Sequence, residues 1–242
     1  MRRLAILAAA LCLVASGAAA DDLLEPTLHV PHRDGEIRVA LTLDACSGKT
    51  DHRILDALVD NRIPATIFVT GRWLKHNGAA LAVMLAHPDL FEIGNHGLNH
   101  VPAVDVVTQI YGIKAAGSPA AVAAEVEGGA AAILAATARQ PRWFRGATAK
   151  YTTSSIAQIH ALGLKVAGYS VNGDSGSLAV AKVAEHRIAE AKDGDVIIAH
   201  INQPAHAAGS GVVRGILALK ARGIRFVTLE ALADDGLKLP GS

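Results

Sequence analysis

Two histidines, His96 and His100, stand four residues apart in the segment NHGLNH. On a helical turn, side chains at this spacing share one face, so both imidazoles could bind one metal ion. Zinc hydrolase sites often add a carboxylate to two histidines, and Asp44 and Asp51 bracket the glycine-containing segment ACSGKT. Either carboxylate could be the third ligand. Asp51 could instead cap a helix that begins at His52, because aspartate is a common N-cap residue.

Ionisable side chains also occur at or just after the ends of several apolar runs. Asp44 follows VALTL, His96 comes shortly after FEIG, and His200 follows VIIA. Arg145 follows WF, and Asp174 comes shortly after VAGYSV. In parallel barrels the carboxyl ends of the strands meet at one face, where active sites lie. The five side chains are therefore predicted to converge on one site. A buried ion pair is the alternative for Arg145 and Asp174, and a core position is the alternative for His200.

Short apolar runs alternate with segments of helical spacing over most of the chain. Strands are predicted at residues 39–43, 65–70, 91–94, 142–145, 165–171, 195–199 and 225–229, and helices at residues 51–61, 81–86 and 120–139. Strands separated by helices indicate parallel βα units. About seven or eight such units in roughly 220 residues favour a single α/β domain with a barrel of the (β/α) kind.

The composition excludes several classes of protein. Of the 242 residues, 51% are hydrophobic and 19% are charged, which is typical of a folded globular chain and not of a disordered one. Lysine and arginine number 23 against 22 acidic residues, and no basic run occurs. Nucleic acid is therefore not a predicted partner, because phosphate binding requires a clustered positive face.

The first twenty residues have the pattern of a secretory signal peptide. A basic start (MRR) precedes an apolar stretch, and AAA precedes Asp21. We predict cleavage after residue 20, export to the periplasm or the medium, and a mature domain at residues 21–242. The apolar stretch is shorter than the roughly 20 residues of a membrane span, so no stable membrane insertion is expected after cleavage. Cys12 leaves with the signal peptide, so Cys46 is the only cysteine of the mature chain.

In these residues and their order, the sequence resembles the polysaccharide deacetylases of carbohydrate esterase family 4, the NodB-homology group, over about residues 38–232. Five segments resemble the family motifs, in the same order. TLDA at residues 42–45 resembles T-F-D-D, HGLNH at residues 96–100 resembles H-[ST]-x-x-H, and Arg145 alone matches R-x-P-[YF]. NGDS at residues 172–175 is similar to part of D-x-x-D-W, and IAH at residues 198–200 resembles L-x-H. The resemblance implies a distorted barrel of about seven parallel strands in one domain. It also implies hydrolysis of N-acetyl or O-acetyl groups on a polysaccharide or cell-wall glycan.

The resemblance assigns acid–base roles to four side chains. Asp44 is expected to act as general base and His200 as general acid, which protonates the leaving amine. Arg145 is expected to pair with Asp44, which keeps the base charged, and Asp174 with His200, which favours the imidazolium. One acid and one base whose pKa values are pushed apart are typical of an acid–base site.

The resemblance also implies a divalent metal, and here the sequence departs from the family. The second aspartate of the first motif, a metal ligand in the family, is Ala45 in this chain. Asp51 is the predicted substitute, together with His96 and His100. A divalent ion lowers the pKa of water from ~15.7 toward ~7. Zinc is the predicted metal, and cobalt or nickel suits the same ligands.

Substrate binding departs from the family pattern as well. Ser175 stands where the fourth motif has tryptophan, and the third motif lacks its proline and aromatic residue. Trp143 and Tyr151 are predicted to supply the aromatic surface for the glycan, with core packing as the alternative. A backbone N–H near Ala147 or Thr148 is predicted to bind the oxyanion of the intermediate.

Two other functions remain open at this stage. The departures in the third and fourth motifs favour a deacylase or amidase that acts on a non-sugar substrate. The loss of the aspartate at Ala45 favours a carbohydrate-binding relative that has lost turnover. Cys46 is expected to pack beneath the site and not to act as a nucleophile, because nearby aspartates disfavour a thiolate. A glycan is the predicted substrate, and no protein partner is indicated.

Overall fold

The computed structural model describes residues 23–232, so the predicted signal peptide lies outside the described residues. The strands are β1 Arg38–Ala45, β2 Ala65–Val69, β3 Phe91–Asn95, β4 Gln109–Ile110, β5 Ile113–Lys114, β6 Trp143–Phe144, β7 Lys165–Val166, β8 Val171–Asn172, β9 Val196–His200 and β10 Arg225–Val227. The helices are α1 His52–Asp60, α2 Gly71–Leu74, α3 Gly78–Ala86, α4 Pro119–Thr137, α5 Thr153–Ala161, α6 Ala181–Ala189 and α7 Ala208–Ala221. Short 3₁₀ turns cover Ala147–Ala149 and Glu230–Leu232.

Eight of the strands form one curled sheet. Seven of them follow the order β7-β6-β3-β2-β1-β9-β8, and β10 pairs with the amino-terminal half of β1. Every pairing in this sheet is parallel. Helices connect most of these strands, as parallel connections require. The predicted fold class, a distorted (β/α) barrel of about seven parallel strands in a single domain, is confirmed.

Strand β1 is the centre of the sheet and sets the level of the polar residues at its carboxyl edge. All eight of its residues are buried, as expected for a strand with neighbours on both sides and covered faces. Its register places Asp44 beside Phe68 of β2 and beside His200 of β9. The neighbouring register aligns Asn95 at the end of β3 with Phe144 of β6. The residues that end these strands therefore lie side by side.

Two parts of the sheet differ from the sequence prediction. The single strand predicted at residues 165–171 is split into β7 and β8. The chain between them is held against the amino-terminal segment, since a Cβ at Gly168 would overlap the Pro26 carbonyl, and the Tyr169 N–H donates to that carbonyl. The antiparallel hairpin β4–β5 was not predicted, because strands of two residues leave no periodic signal.

Helix α4 covers one face of the barrel next to β3 and packs against α2 and α5. Ser118 caps its amino terminus by accepting from the Ala121 N–H, and Pro119 occupies its first turn. The helix is long and apolar enough to cross a membrane by length and composition alone, a test that core helices of soluble proteins also pass. Its buried positions include Val122, Val126 and Ile133.

The partly buried Glu92 on β3 predicts a pH-dependent stability. Its carboxylate accepts hydrogen bonds from the Thr66 hydroxyl at 2.7 Å and from the Glu230 N–H at 2.9 Å. Burial raises the pKa of Glu92 from its ordinary value of 4.5 to about 7. Because the folded state holds this proton more tightly than the unfolded chain, stability falls as pH rises from 4.5 to about 7. We expect this group to account for about 1–3 kcal/mol of that loss.

The measurement is the free energy of unfolding in urea at several pH values, for the wild type and for Glu92→Gln. Glutamine keeps an acceptor for Thr66 and does not titrate. The variant is expected to lose less stability than the wild type across this pH interval. Parallel pH profiles for the two proteins would contradict the prediction.

Candidate active site

A cavity of about 610 Å³ opens at the carboxyl ends of the strands. Residues that line it include Asp44, Cys46, His96, His100, Thr148 and His200. Arg145 and Asp174 lie directly behind this lining and hold Asp44 and His200. The structure thus brings together the five side chains that were predicted to converge from separate strand ends. This is the position that active sites occupy in parallel barrels.

Asp44 is held by a fully buried arginine. The Arg145 Nη1 donates to Asp44 Oδ1 at 3.0 Å and to the Thr42 hydroxyl at 2.9 Å. Its other nitrogens donate to the carbonyl oxygens of Ala167 and Gly168. Burial by itself would raise the pKa of Asp44, but the Arg145 charge and the nearby histidines outweigh it and lower that pKa. Asp44 is therefore an ionised carboxylate at neutral pH.

His200 forms a dyad with a buried aspartate. Asp174 Oδ1 lies 2.9 Å from His200 Nδ1, and Asp174 Oδ2 accepts from the His200 backbone N–H at 2.8 Å. The dyad assigns the Nδ1 proton to the Asp174 side and leaves Nε2 as the ring nitrogen available to a substrate. Burial favours the neutral ring, but hydrogen bonds with Asp174 and Cys46, together with their charges, outweigh it and raise the pKa of His200 well above its usual value.

His96 and His100 come from a loop and not, as predicted, from a helical turn. Gly97 and His100 both have positive φ, at 86° and 63°, which no α-helix accommodates. The loop is held instead by buried Glu125 of α4, whose Oε1 accepts from the backbone N–H groups of Asn99 and Val101. A Cβ at Gly97 would overlap this carboxylate, so the loop requires glycine there.

The loop nevertheless brings the two imidazoles together, with ring centroids 5.0 Å apart. His96 is buried, and its Nδ1 lies 2.5 Å from the Arg145 carbonyl oxygen. Because a carbonyl only accepts, Nδ1 carries the proton and Nε2 is the nitrogen that could bind a metal. His96 Nε2 faces Cys46 Sγ at 3.4 Å and Asp44 Oδ2 at 3.8 Å. Burial disfavours a charged ring, but the Asp44 charge outweighs it and raises the pKa of His96.

Cys46 is the third side chain at this point, although it was predicted to pack beneath the site and no metal-binding role was predicted for it. Its Sγ and one ring nitrogen each of His96 and His100 all lie within 4.8 Å of one another. Burial alone would raise the pKa of the thiol, but the charge of His96 and hydrogen bonds with the surrounding histidines hold that pKa well below its usual value. Its location could have suggested this role, because Cys46 directly follows Ala45, which stands where the family has a metal ligand.

The structure does not bring Asp51 to the two histidines. The carboxylate of this buried residue accepts from Arg53, at 3.1 Å from the backbone N–H and at 2.8 Å from Nε. It caps α1, the alternative role for this residue, and also packs against Gly209 of α7. The ligand role predicted for Asp51 therefore has no support in the geometry, because its oxygens already satisfy a helix terminus and a guanidinium.

The predicted aromatic surface also differs from the observed one. Trp143 and Tyr151 are fully buried in the core, so neither ring faces the cavity. Tyr111, on the turn of the β4–β5 hairpin, and Tyr169 line the cavity in their place. No periodic pattern identified either tyrosine as a cavity residue, because Tyr111 lies on a short turn and Tyr169 in the irregular chain between β7 and β8. Thr148 does line the cavity, and its buried hydroxyl oxygen has no hydrogen-bond partner within residues 23–232.

The sequence profile described as "Polysaccharide deacetylase" matches residues 32–167, more than half of the chain. The chain belongs to the polysaccharide deacetylase family. The matched range contains Asp44, the histidine loop and Arg145, whereas the His200–Asp174 dyad lies beyond it. No curated protein sequence gives a significant match.

Several solved structures share the fold of this polysaccharide deacetylase. The T48 deacetylase, solved with substrate, is 23% identical, with 86% of this chain and 96% of that chain covered and a TM-score of 0.66. A family 4 carbohydrate esterase from Streptomyces lividans, in complex with acetate, is 20% identical, with 85% and 98% covered and a TM-score of 0.65. The pseudoenzyme BA3943 from Bacillus anthracis is also 20% identical, with 84% and 67% covered and a TM-score of 0.65.

Proposed function

We propose that this polysaccharide deacetylase is an exported, metal-dependent hydrolase that removes N-acetyl or O-acetyl groups from a polysaccharide or cell-wall glycan. The observation that carries the proposal is the pair of opposed acid–base units on neighbouring strands. The ionised Asp44, held by Arg145, and the protonated His200, held by Asp174, face one cavity from paired positions of β1 and β9. A pocket that only binds sugar has no need for these two units together.

Asp44 acts as the general base in this proposal. Its pKa is lowered, and Arg145 fixes one carboxylate oxygen while Oδ2 lies on the side of His96. The carboxylate takes the proton of the attacking water as the water adds to the acetyl carbonyl carbon. Because Arg145 is fully buried and also bound to Thr42, the orientation of the base is set before substrate binds.

His200 acts as the general acid. Collapse of the tetrahedral intermediate expels an amine, which is a poor leaving group unless it is protonated. The Asp174 hydrogen bond raises the pKa of His200, so the imidazolium is present at neutral pH and Nε2–H donates to the departing nitrogen. Asp174 is a positioning residue, since it acts through the imidazole and does not reach the cavity.

His96 and His100 would hold a divalent ion, together with a third donor from the loop after β1. The donor set fits such an ion, because His96 Nδ1 is committed to a backbone carbonyl, as in known metal-binding histidines. When bound, the ion polarises the acetyl carbonyl and makes water more acidic. In this proposal a backbone N–H near Ala147 or Thr148 donates to the oxyanion.

The rim of the cavity supports a glycan substrate. Tyr111 and Leu178 are 75% and 78% exposed, and both line the opening. Tyr169 lies deeper, with its hydroxyl bound to Glu25. Flat apolar surfaces of this kind suit the faces of sugar rings. The side-chain oxygens of Thr148 and Asn202, which have no hydrogen-bond partner among residues 23–232, offer polar contacts. The membership of the chain in a family that acts on glycans points the same way.

The test is acetate release from N-acetylated glycan oligomers by the purified mature protein. We expect release to stop after chelation and to return when about one equivalent of Zn²⁺ is added back. Acetate release that survives complete removal of metal would contradict metal dependence. A protein without metal that binds glycan and releases no acetate would match the alternative, a binding relative. Acetate release from small N-acetylated amides alone would favour the non-sugar deacylase.

A further inference from the structure

We infer that the thiolate of Cys46 is the third protein ligand of the metal ion, in place of the aspartate that the family carries at Ala45. The inference rests on the proposed function, because it concerns the same ion. It replaces the carboxylate ligand predicted at Asp51 by a sulfur ligand. It therefore changes the chemical class of metal that the site selects.

The first support is the placement of the three donor atoms. Cys46 Sγ lies 3.4 Å from His96 Nε2, and His100 contributes a ring nitrogen within 4.8 Å of both. Donor atoms around one tetrahedral zinc ion are separated by distances of this order, given bonds of about 2.0–2.3 Å. Three protein ligands leave one position open, as catalytic zinc sites do.

The second support is the orientation of His96. Its Nδ1 donates to the Arg145 carbonyl at 2.5 Å, so Nε2 is the ring nitrogen left free for a metal, and it is directed at the cysteine sulfur. A metal-binding histidine is typically oriented by such a bond from its other ring nitrogen. The ring is buried, and this bond holds its orientation without any help from an ion.

The third support is the path of the loop between β1 and α1, which directs Cys46 inward and Asp51 away. Asn77 accepts from Thr50 and donates to the Gly48 carbonyl at 2.9 Å, and Asn202 donates to the Ser47 carbonyl from the other side. Gly48 has a positive φ of 88°, and a Cβ there would press against the Asn202 carbonyl. The loop is thus tethered on both flanks.

Asp51 lies beyond these tethers and has its own partners. Arg53 binds both carboxylate oxygens, and the same guanidinium donates to the carbonyls of Pro204 and His206. Moving Asp51 to the histidines would break the α1 cap and this link to the segment before α7. Cys46 needs no such rearrangement, because its sulfur already faces His96.

A thiolate ligand predicts the metal preference of the site. Soft sulfur donors select zinc and similar late transition ions, whereas hard ions such as Mg²⁺, Mn²⁺ and Ca²⁺ prefer oxygen ligands. We expect the apo protein to bind Zn²⁺ or Co²⁺ and to show no competition from a large excess of Mg²⁺ or Ca²⁺. Bound metal should also protect Cys46 from alkylation, because the sulfur lone pair that attacks the reagent is then bound to the metal.

The deciding experiment is the absorption spectrum of the mature protein loaded with Co²⁺. A thiolate ligand gives an intense sulfur-to-cobalt charge-transfer band in the near ultraviolet, separate from the weaker visible bands of tetrahedral cobalt. We expect this band in the wild type and in Asp51→Asn, and its loss in Cys46→Ser. Asp51→Asn is the matched control, because asparagine caps helices as well as aspartate does. Cys46→Ser should also lose at least about 10–100-fold in Zn²⁺ affinity.

The outcomes separate this inference from the proposed function. Cobalt that binds and supports acetate release without a charge-transfer band would overturn the sulfur ligand and leave the metal-dependent hydrolase standing. Loss of cobalt binding in Asp51→Asn, with the thermal melt unchanged and cobalt binding retained in Cys46→Ser, would restore Asp51 as the ligand. A wild-type protein that binds no cobalt would overturn both.

Discussion

Replacement of His200 by alanine is expected to lower the rate of N-acetyl hydrolysis by about 10²–10⁴-fold, the range for loss of a positioned general acid. The variant should retain its metal, because the His200 ring is bound to Asp174 and is not one of the three candidate ligands. It should also remain folded, since His200 lies at the cavity wall. The measurements are acetate release, metal content and a thermal melt.

A substrate whose leaving group needs no proton tests whether His200 acts by proton donation. Nitrophenyl acetate has the same acyl group as the proposed substrate, but its phenolate departs without protonation. His200→Ala should therefore lose far more activity toward the amide than toward this ester. Asp44→Asn is the matched comparison, because loss of the base slows attack on both substrates alike. Equal losses of the two activities in His200→Ala would contradict the role of His200 as acid.

The second large effect is expected on stability, from replacement of Arg145 by methionine. The Arg145 side chain is completely buried, and that of Asp44 is 4% exposed. Loss of the arginine leaves a buried carboxylate without a counter-charge, which typically costs about 3–5 kcal/mol. The variant should also be inactive, because the carboxylate is then favoured in its neutral form and cannot accept a proton. Urea unfolding and acetate release measure the two effects.

A double variant tests whether the pairing causes that loss. Asp44→Asn combined with Arg145→Met removes both charges and keeps side chains of similar size. Replacement of a whole buried pair by neutral groups is far less costly than removal of one partner. The double variant should therefore be more stable than the sum of the two single losses predicts. Strictly additive losses would mean that packing, and not the ion pair, makes Arg145 important.

The sequence by itself determined the fold class and predicted which ionisable side chains the fold brings together. Short apolar runs alternate with segments of helical spacing, and this pattern predicts parallel βα units. Parallel units bring the carboxyl ends of their strands to one edge of the sheet. Asp44, His200 and Arg145 could be assigned to the site because each ends a strand. The observed register of β1 with β9, which places Asp44 beside His200, agrees with that rule.

The tertiary structure determined where the side chains of the irregular segments lie. Loop conformation depends on contacts with distant elements, and periodicity carries no information about it. Glu125 of α4 shapes the histidine loop, so a helical turn was the wrong expectation for His96 and His100. Tyr111 and Tyr169 lie in irregular segments and line the cavity. Trp143 and Tyr151, which lie beside or within regular elements, pack into the core instead.

The positions of Asp51 and Cys46 also depend on the tertiary structure and not on the local sequence. The sequence placed both residues near the end of β1 and favoured the carboxylate, because aspartate is the family's ligand type. Contacts with distant elements, including those of Asn77, Asn202 and Thr70, determine which side chain of the loop faces the histidines. These contacts join residues far apart in the chain, so no local pattern could reveal that the sulfur points inward and the carboxylate caps a helix.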